Sequence, residues 1–322
     1  MSAEGPRIAV NGWFWGQDTT GSGQYQAHLA RFLPDTEPNA AWVMICPRPL
    51  APTNAPALPP RWQLHVASPP PWLPGDNLAK VWFEQVTFPR ACRTVGADLA
   101  HVPYWGSPGW SPCPVVVTIH DLIPQRLPAY RGGILPRSYT WLVGRTARRA
   151  ARVITDSEAS RRDLVEHLGL PDAQVRVIHL AADEAYRHVA EPGELDRVRT
   201  RYGLPARFVL YVGGFDIRKN VPGILRAFAL AVSRGQVAPD VGLVIAGQLP
   251  GVDTAFKPDP RPLAEALGLR GRIVFTGWVD EADKPALYSL ADVFLFPSQY
   301  EGFGLPVLEA LACAAPAKGD ET

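Results

Sequence analysis

The segment QYEGFGLPVLEALA sets two carboxylates, Glu301 and Glu309, eight positions apart around a glycine-rich turn. Gly302 and Gly304 free that turn and Pro306 suits an early helical position, so Glu301 is expected in a loop and Glu309 about one turn into the next helix. Carboxylates so placed can accept from sugar or ribose hydroxyls, leaving the first N–H groups of the helix for a phosphate. The competing structural explanation makes Glu301 a helix-capping carboxylate. Arg218 and Lys219, in LYVGGFDIRKNVPG, pair a guanidinium fork with a point-charge ammonium, a combination that suits a diphosphate. His120 and Asp121, in VVVTIHDLIP, precede Pro124, which is expected to block immediate helix formation; the imidazole can accept from or donate to a hydroxyl. Gly21 and Gly23, ahead of a helix-like segment, would let backbone approach a phosphate or sugar. The third glycine of a dinucleotide fingerprint is missing and the preceding strand lies too far back, which disfavours NAD.

Each of these groups follows a short apolar, β-branched run. Such runs recur at RIAVNG (7–12), AWVMICP (41–47), ADLAHVP (97–103), CPVVVTIHD (113–121), ARVITDS (151–157) and VRVIHLA (175–181). Separated by longer amphipathic segments, they predict a parallel sheet covered by helices on both faces. The rhythm restarts after the polar stretch at 191–206, with RFVLYVGG (207–214), VGLVIAGQ (241–248), GRIVFTGW (271–278) and ADVFLFPS (291–298). The fold class is therefore α/β: two Rossmann-like domains facing across a cleft, residues 1–190 and 207–322, joined by a linker at 191–206. Proline density between 47 and 75 argues against helix or central strand and predicts a stiff surface connection of polyproline II character.

With 322 residues, 47% of them hydrophobic, two buried cores are feasible. Thirty-two basic against 31 acidic side chains leave a net charge of +1, which gives no support for nucleic acid as a partner. Cys46, Cys92, Cys113 and Cys313 are far apart in sequence and show no metal-ligand spacing, so they read as reduced small hydrophobes and no metal is expected. The N-terminus enters a strand without a signal-like segment, and no run of about 18 apolar residues occurs, so a cytoplasmic location is expected.

GGFDIRKN, GRIVFTGWVDEADKPALYSLADVFLFPS and EGFGLPVLEALA, together with TIHDLIP and VITDSEASRRDLVEHLG, resemble the consecutive signatures of the group 1 (family 4) retaining glycosyltransferases with the GT-B fold. The likeness covers nearly the whole chain, and E-G-F-G-L-P-x-x-E-A is its most specific part. It implies transfer of a sugar from a nucleotide-diphosphate donor to an acceptor hydroxyl with retention, with no cofactor and no obligatory metal. By position, Arg218 and Lys219 would hold the diphosphate, Glu309 the ribose and Glu301 the donor sugar, with Gly302, Phe303, Gly304 and Leu305 completing the donor loop. His120 would lie beside the reacting sugar, and the Gly21–Gly23 loop would close on donor and acceptor. Asp280 stands where similar enzymes contact the base; a carboxylate there suits guanine and leans toward GDP-mannose, with UDP-sugars open, while a helix N-cap role competes. Trp13, Phe14, Trp15, Tyr104, Trp105 and Trp110, with Asp121, lie where a saccharide or lipid-linked acceptor should bind; core packing explains some of these rings as well. A lipid acceptor would bring peripheral contact with the inner membrane face, and the Arg-rich stretch at 145–163 motivates that idea against a solvated helix face.

Relatives usually follow the EGFGLP helix with a glycine, a buried strand and further elements. Here Ala314 or Ala315 stands at the glycine and AKGDET replaces the strand, so the second domain is expected to be incomplete with ADVFLFPS as its exposed edge. GGF in the loop near 213 departs from relatives that carry arginine there. A nucleotide-sugar-binding fragment or pseudoenzyme is accordingly the alternative to an active transferase in polysaccharide or glycolipid synthesis. An epimerase or phosphorylase is disfavoured.

Overall fold

The structure is a computed structural model that describes residues 5–17, 20–50 and 57–319, and the chain divides into two compact units, Met1–His179 and Leu180–Thr322. In the first unit, β1 (Arg7–Asn11), β2 (Ala41–Cys46), β3 (Trp62–Val66), β4 (Leu99–Val102), β5 (Val115–Thr118), β6 (Arg152–Thr155) and β7 (Val175–Val177) form one sheet in the order β3-β2-β1-β4-β5-β6-β7. All of its pairings are parallel. Ala9, Val43, Ile45, Val102, Val117 and Val153 are buried, because helices cover both faces and favour apolar side chains in the strands between them.

In the second unit, β8 (Arg207–Val212), β9 (Val241–Ala246), β10 (Ile273–Gly277), β11 (Val293–Phe296) and β12 (Ala317–Gly319) are ordered β10-β9-β8-β11-β12, again all parallel. Each sheet runs outward in one direction and then reverses, between β1 and β4 in the first and between β8 and β11 in the second. Helices of neighbouring crossovers diverge at such reversals, which leaves a crevice beyond the strand ends.

Four local expectations change. WQLHV at 62–66 forms the edge strand β3 inside the proline-rich region, since five residues between the proline clusters suffice at an edge, where missing N–H donors are tolerated; the segment 51–56 lies outside the described residues. The polar stretch at 191–206 is not a linker but carries the helix Pro192–Tyr202, held to the second unit by Arg197, Arg201 and Tyr202 converging on the buried Asp283. The boundary falls earlier because residues past 180 already belong to the second unit: Tyr186 donates to Glu281 at 2.9 Å and the Val189 N–H to Ser289 at 3.0 Å. Pro124 does not block the helix Ile123–Arg126; it occupies the first turn, where its missing N–H costs nothing.

The fourth change is at the last described strand. AKG pairs with Phe294–Phe296 as β12, so ADVFLFPS is not the edge of the sheet. The turn into β12 places Ala314 at φ +63°, the left-handed region in which a Cβ is strained by roughly 1–2 kcal/mol. Ala314→Gly is therefore expected to raise unfolding stability by about 0.5–1 kcal/mol after the entropy cost of glycine. A urea titration reads the difference, and a destabilised variant would contradict the assigned backbone.

Among the described residues no helix is long and apolar enough to cross a membrane.

Candidate functional site

The second unit assembles its polar groups at the reversal of its sheet. β8 leads into the loop carrying Arg218 and Lys219, and the adjacent β11 leads into the loop carrying Glu301, so residues 82 positions apart meet. Glu301 takes Lys219 Nζ at 2.6 Å on Oε1 and the Arg218 guanidinium on Oε2. Arg218 also donates to the Tyr300 carbonyl at 3.0 Å and approaches Asp216 at 3.4 Å, and Lys219 lies 5.3 Å above the Phe296 ring. Glu301 thus answers two cations and does not cap the helix Leu305–Ala312, whose N-cap is Gly304 in the left-handed region at φ +97°. Gly302 and Phe303 complete the half-buried turn before it and Leu305 opens the helix. The loop after β8 is fixed from beneath: a Cβ on Gly247 would lie 2.1 Å from the Gly213 carbonyl oxygen, so only glycine permits this approach. GGF keeps its phenylalanine because Phe215 is buried in the core on this side.

Glu309 sits within that helix and accepts from the Tyr288 hydroxyl at 3.1 Å. Burial raises its carboxyl above the usual range, against the opposing pull of the Lys284 charge and the Tyr288 hydrogen bond. Asp280 behaves otherwise. It precedes the turn Glu281–Asp283, but its side chain caps no backbone N–H; it is half-exposed and pairs with Arg201 at 2.5 Å.

In the first unit a polar group gathers at the carboxyl ends of β1, β4, β5 and β6. His120 Nδ1 lies 2.7 Å from Asp156 Oδ2, and the Tyr25 ring stands edge-on to the imidazole at 4.7 Å. Tyr25 reaches Thr118 Oγ1 at 3.5 Å, and that hydroxyl pairs with His101 Nε2 at 3.1 Å. Burial first, and then the nearby His120 imidazole, depress His101 to about 4, so it is neutral at physiological pH. Gly21 and Gly23 are not in a loop before the helix: they form the first turn of the helix Gly21–Thr36, and Thr20 Oγ1 accepts the Gly23 N–H at 3.1 Å. Gly23 is required there because a Cβ would lie 2.1 Å from the Gln17 carbonyl oxygen. Asp121 accepts the Ile123 N–H at 2.9 Å and so supports the short helix after β5.

The aromatic group divides. Trp15 and Tyr104 are buried, Trp15 with Val10 and Met44 and Tyr104 with its hydroxyl on Asn11 Oδ1 at 3.1 Å, so neither is placed to stack on an acceptor. Trp13 is half-buried against Phe83 at 5.4 Å, Phe14 meets Tyr104 edge-to-face at 4.8 Å, and Trp105 is half-buried against the same core. Trp110 is exposed beneath the Arg93 guanidinium. Beside Tyr104 lies an ion pair that sequence reasoning missed: Lys80 Nζ meets the fully buried Glu84 at 2.5 Å, and Tyr139 donates to the same carboxylate. Asp156 and Tyr288 were also missed. Asp156 had a signal, a carboxylate at a strand end as with His120, whereas Tyr288 has none outside the folded chain.

Two family models match the chain: one described as "Glycosyltransferase Family 4" over residues 19–186 and one described as "Glycosyl transferases group 1" over residues 196–317. The serotype-specific mannosyltransferase WbdA of Escherichia coli is 30% identical over 213 residues, which are 65% of this chain and 25% of that protein. The chain thus spans about a quarter of the length of that curated relative. Sucrose-phosphate synthase from Thermosynechococcus elongatus superposes with a TM-score of 0.73 at 22% identity, covering 99% of this chain and 82% of that one. HepE from Anabaena, solved in complex with UDP-glucose, gives a TM-score of 0.68 at 18% identity over 99% of this chain and 81% of that one. At these identities the two likenesses speak to the fold.

Proposed function

The chain belongs to the group 1, family 4 glycosyltransferases of GT-B fold, and from that premise we propose that it transfers a sugar from a nucleotide-diphosphate donor to an acceptor hydroxyl with retention of configuration. The observation that carries this reading is the meeting of Arg218, Lys219 and Glu301 at the sheet reversal of the second unit, where an α/β sheet binds its ligand. In the free protein Glu301 pairs with both cations but offsets only one of their two charges, with Asp216 beside Arg218 supplying the second carboxylate. A diphosphate brings more negative charge to the same place, so it replaces the carboxylate on Arg218 and Lys219 and releases Glu301 to accept from the hydroxyls of the donor sugar. The fixed cations then stabilise charge that grows on the diphosphate as the glycosidic bond breaks. Glu309, aimed by Tyr288, accepts from the ribose, and His120 is assigned to the reacting sugar on the strength of the family resemblance. No side chain is assigned as a nucleophile, and the nucleotide-sugar is a co-substrate, with no cofactor or metal in the scheme.

GDP-mannose is the preferred donor in this reading, supported by the mannosyltransferase relative, and UDP-sugars come second, supported by the UDP-glucose complex of HepE. The acceptor is a saccharide or a lipid-linked saccharide in polysaccharide or glycolipid synthesis, reached from the cytoplasmic side, with peripheral membrane contact where the acceptor is a lipid. Thermal shift against GDP-mannose, UDP-glucose, GDP and UDP tests the donor half. A true donor at about 100 times its Kd adds about 2.7 kcal/mol of stability, and a chain whose melting none of the four raises is not a nucleotide-sugar enzyme of this kind. NMR of the sugar product reads retention, and binding without turnover would reduce the chain to a nucleotide-sugar-binding protein.

A further inference from the structure

Asp156 is 2% exposed, and a buried carboxylate is costly unless something nearby repays it. The usual repayments are absent among the described residues. The helix that follows, Glu158–Leu168, is capped by Ser157, which accepts the Ser160 N–H at 3.0 Å, so Asp156 is not the cap. Among the described residues no lysine or arginine pairs with it; the titratable side chain that reaches it is His120, and its Oδ1 is buried without a hydrogen-bond partner.

The backbone aims this carboxylate. Thr118 on β5 lies in register with Ile154 on β6, so two residues further on His120 and Asp156 leave the sheet at the same level. Both backbones are then fastened: Ser160 Oγ donates to the His120 carbonyl at 3.0 Å, and the Asp156 carbonyl meets His179 Nδ1 at 3.0 Å. The Tyr25 ring packs against the imidazole at an interplanar angle of 85°. With the carboxylate as the acceptor in this 2.7 Å contact, the ring proton belongs on Nδ1. Nε2 is then the only ring atom whose hydrogen bonding can change, and among the described residues it is buried with no hydrogen-bond partner.

We propose that Asp156 is a positioning residue that fixes the Nδ1–H tautomer and the orientation of His120, presenting Nε2 to a hydroxyl of the bound sugar. The assignment rests on the sugar role proposed for His120 above. Without Asp156 the proton can move to Nε2, and an atom that must accept from the sugar becomes a donor in part of the population.

Histidine-specific 15N NMR reads the tautomer directly, with the His120 signals identified by their loss in His120→Ala. Wild-type protein is expected to show protonated Nδ1 and unprotonated Nε2. Asp156→Asn should shift population toward the Nε2–H form and lower kcat for donor turnover by about 10- to 100-fold, with KM changed less than about threefold. An unprotonated Nδ1 in the wild type overturns the proposal with no variant needed, as does an Asp156→Asn protein that loses activity while its His120 tautomer stays put. His120→Ala with full turnover is a separate failure: it removes His120 from the sugar site and, with it, the catalytic consequence drawn for Asp156.

Discussion

Replacing Arg218 or Lys219 by alanine is expected to lower kcat/KM for a nucleotide-sugar donor by about 10²- to 10³-fold, the loss typical of removing one preorganised group from a developing charge. The two cations stand on one short turn, Ile217–Lys219, and their side chains are only 11% and 14% exposed. A phosphate there is held away from bulk water, where each charge is screened less than at an open surface. Both are already oriented by Glu301, so little side-chain entropy remains to be lost when a diphosphate takes its place. The double variant should fall short of the product of the single effects, because the two act on one leaving group.

Glu301→Gln separates the roles. It frees the cations from their carboxylate, so nucleoside diphosphate alone should bind at least as tightly as to wild type, while turnover of the intact donor falls because a hydroxyl acceptor on the sugar is weakened. Calorimetric titration with GDP and UDP, set beside donor turnover, reads both. Arg218→Ala and Lys219→Ala proteins that keep wild-type nucleotide affinity within about threefold would place the diphosphate elsewhere.

Phe294→Ala is expected to cost about 3–5 kcal/mol of unfolding stability, the range for deleting a buried ring from a packed core. Phe294 is fully buried on β11, between β8 and β12, and stacks edge-to-face on Tyr288 at 5.3 Å. Phe294→Leu, which refills most of the volume, should recover more than half of that loss. The same variant has a functional reading. Tyr288 aims Glu309 through its hydroxyl, so a cavity beside Tyr288 lets that ring drift and should weaken nucleotide binding in Phe294→Ala molecules that remain folded. Urea unfolding gives the first number and titration at low temperature the second. A loss below about 1.5 kcal/mol would mean the site collapses around the deletion and that the core here is not close-packed.

Much of the fold is legible in the sequence. The strand-like runs at 7–12, 41–47, 97–103, 113–121, 151–157 and 175–181, and the four after 206, each hold a strand of the structure, because parallel strands between two helical layers are built mostly from apolar residues. The weaker signals were those that need a neighbour. WQLHV is too short and too close to proline to announce itself, and becomes a strand only because β2 offers it a partner. AKG is three residues long and is a strand only against Phe294–Phe296. The helix Pro192–Tyr202 reads as a linker because its sequence is polar, yet two of its arginines pair with Asp283 about 80 positions away.

The candidate site divides along the same line. The residue types and their places at strand ends are local properties, so Arg218, Lys219, His120, Glu301 and Glu309 could be singled out from spacing and chemistry alone. What each one touches is not local. Glu301 closes on Arg218 and Lys219 because the second sheet reverses between β8 and β11, and Asp156 meets His120 because β5 and β6 are in register. Trp15 and Tyr104, which the sequence could equally assign to an acceptor or to a core, are drawn into the core because burying their rings releases more water than leaving them exposed. The family, the alternation of strand and helix and the chemical repertoire at the strand ends are written in local stretches of the chain; the pairings exist only in the folded molecule, since strand order and register depend on contacts between residues far apart in the chain.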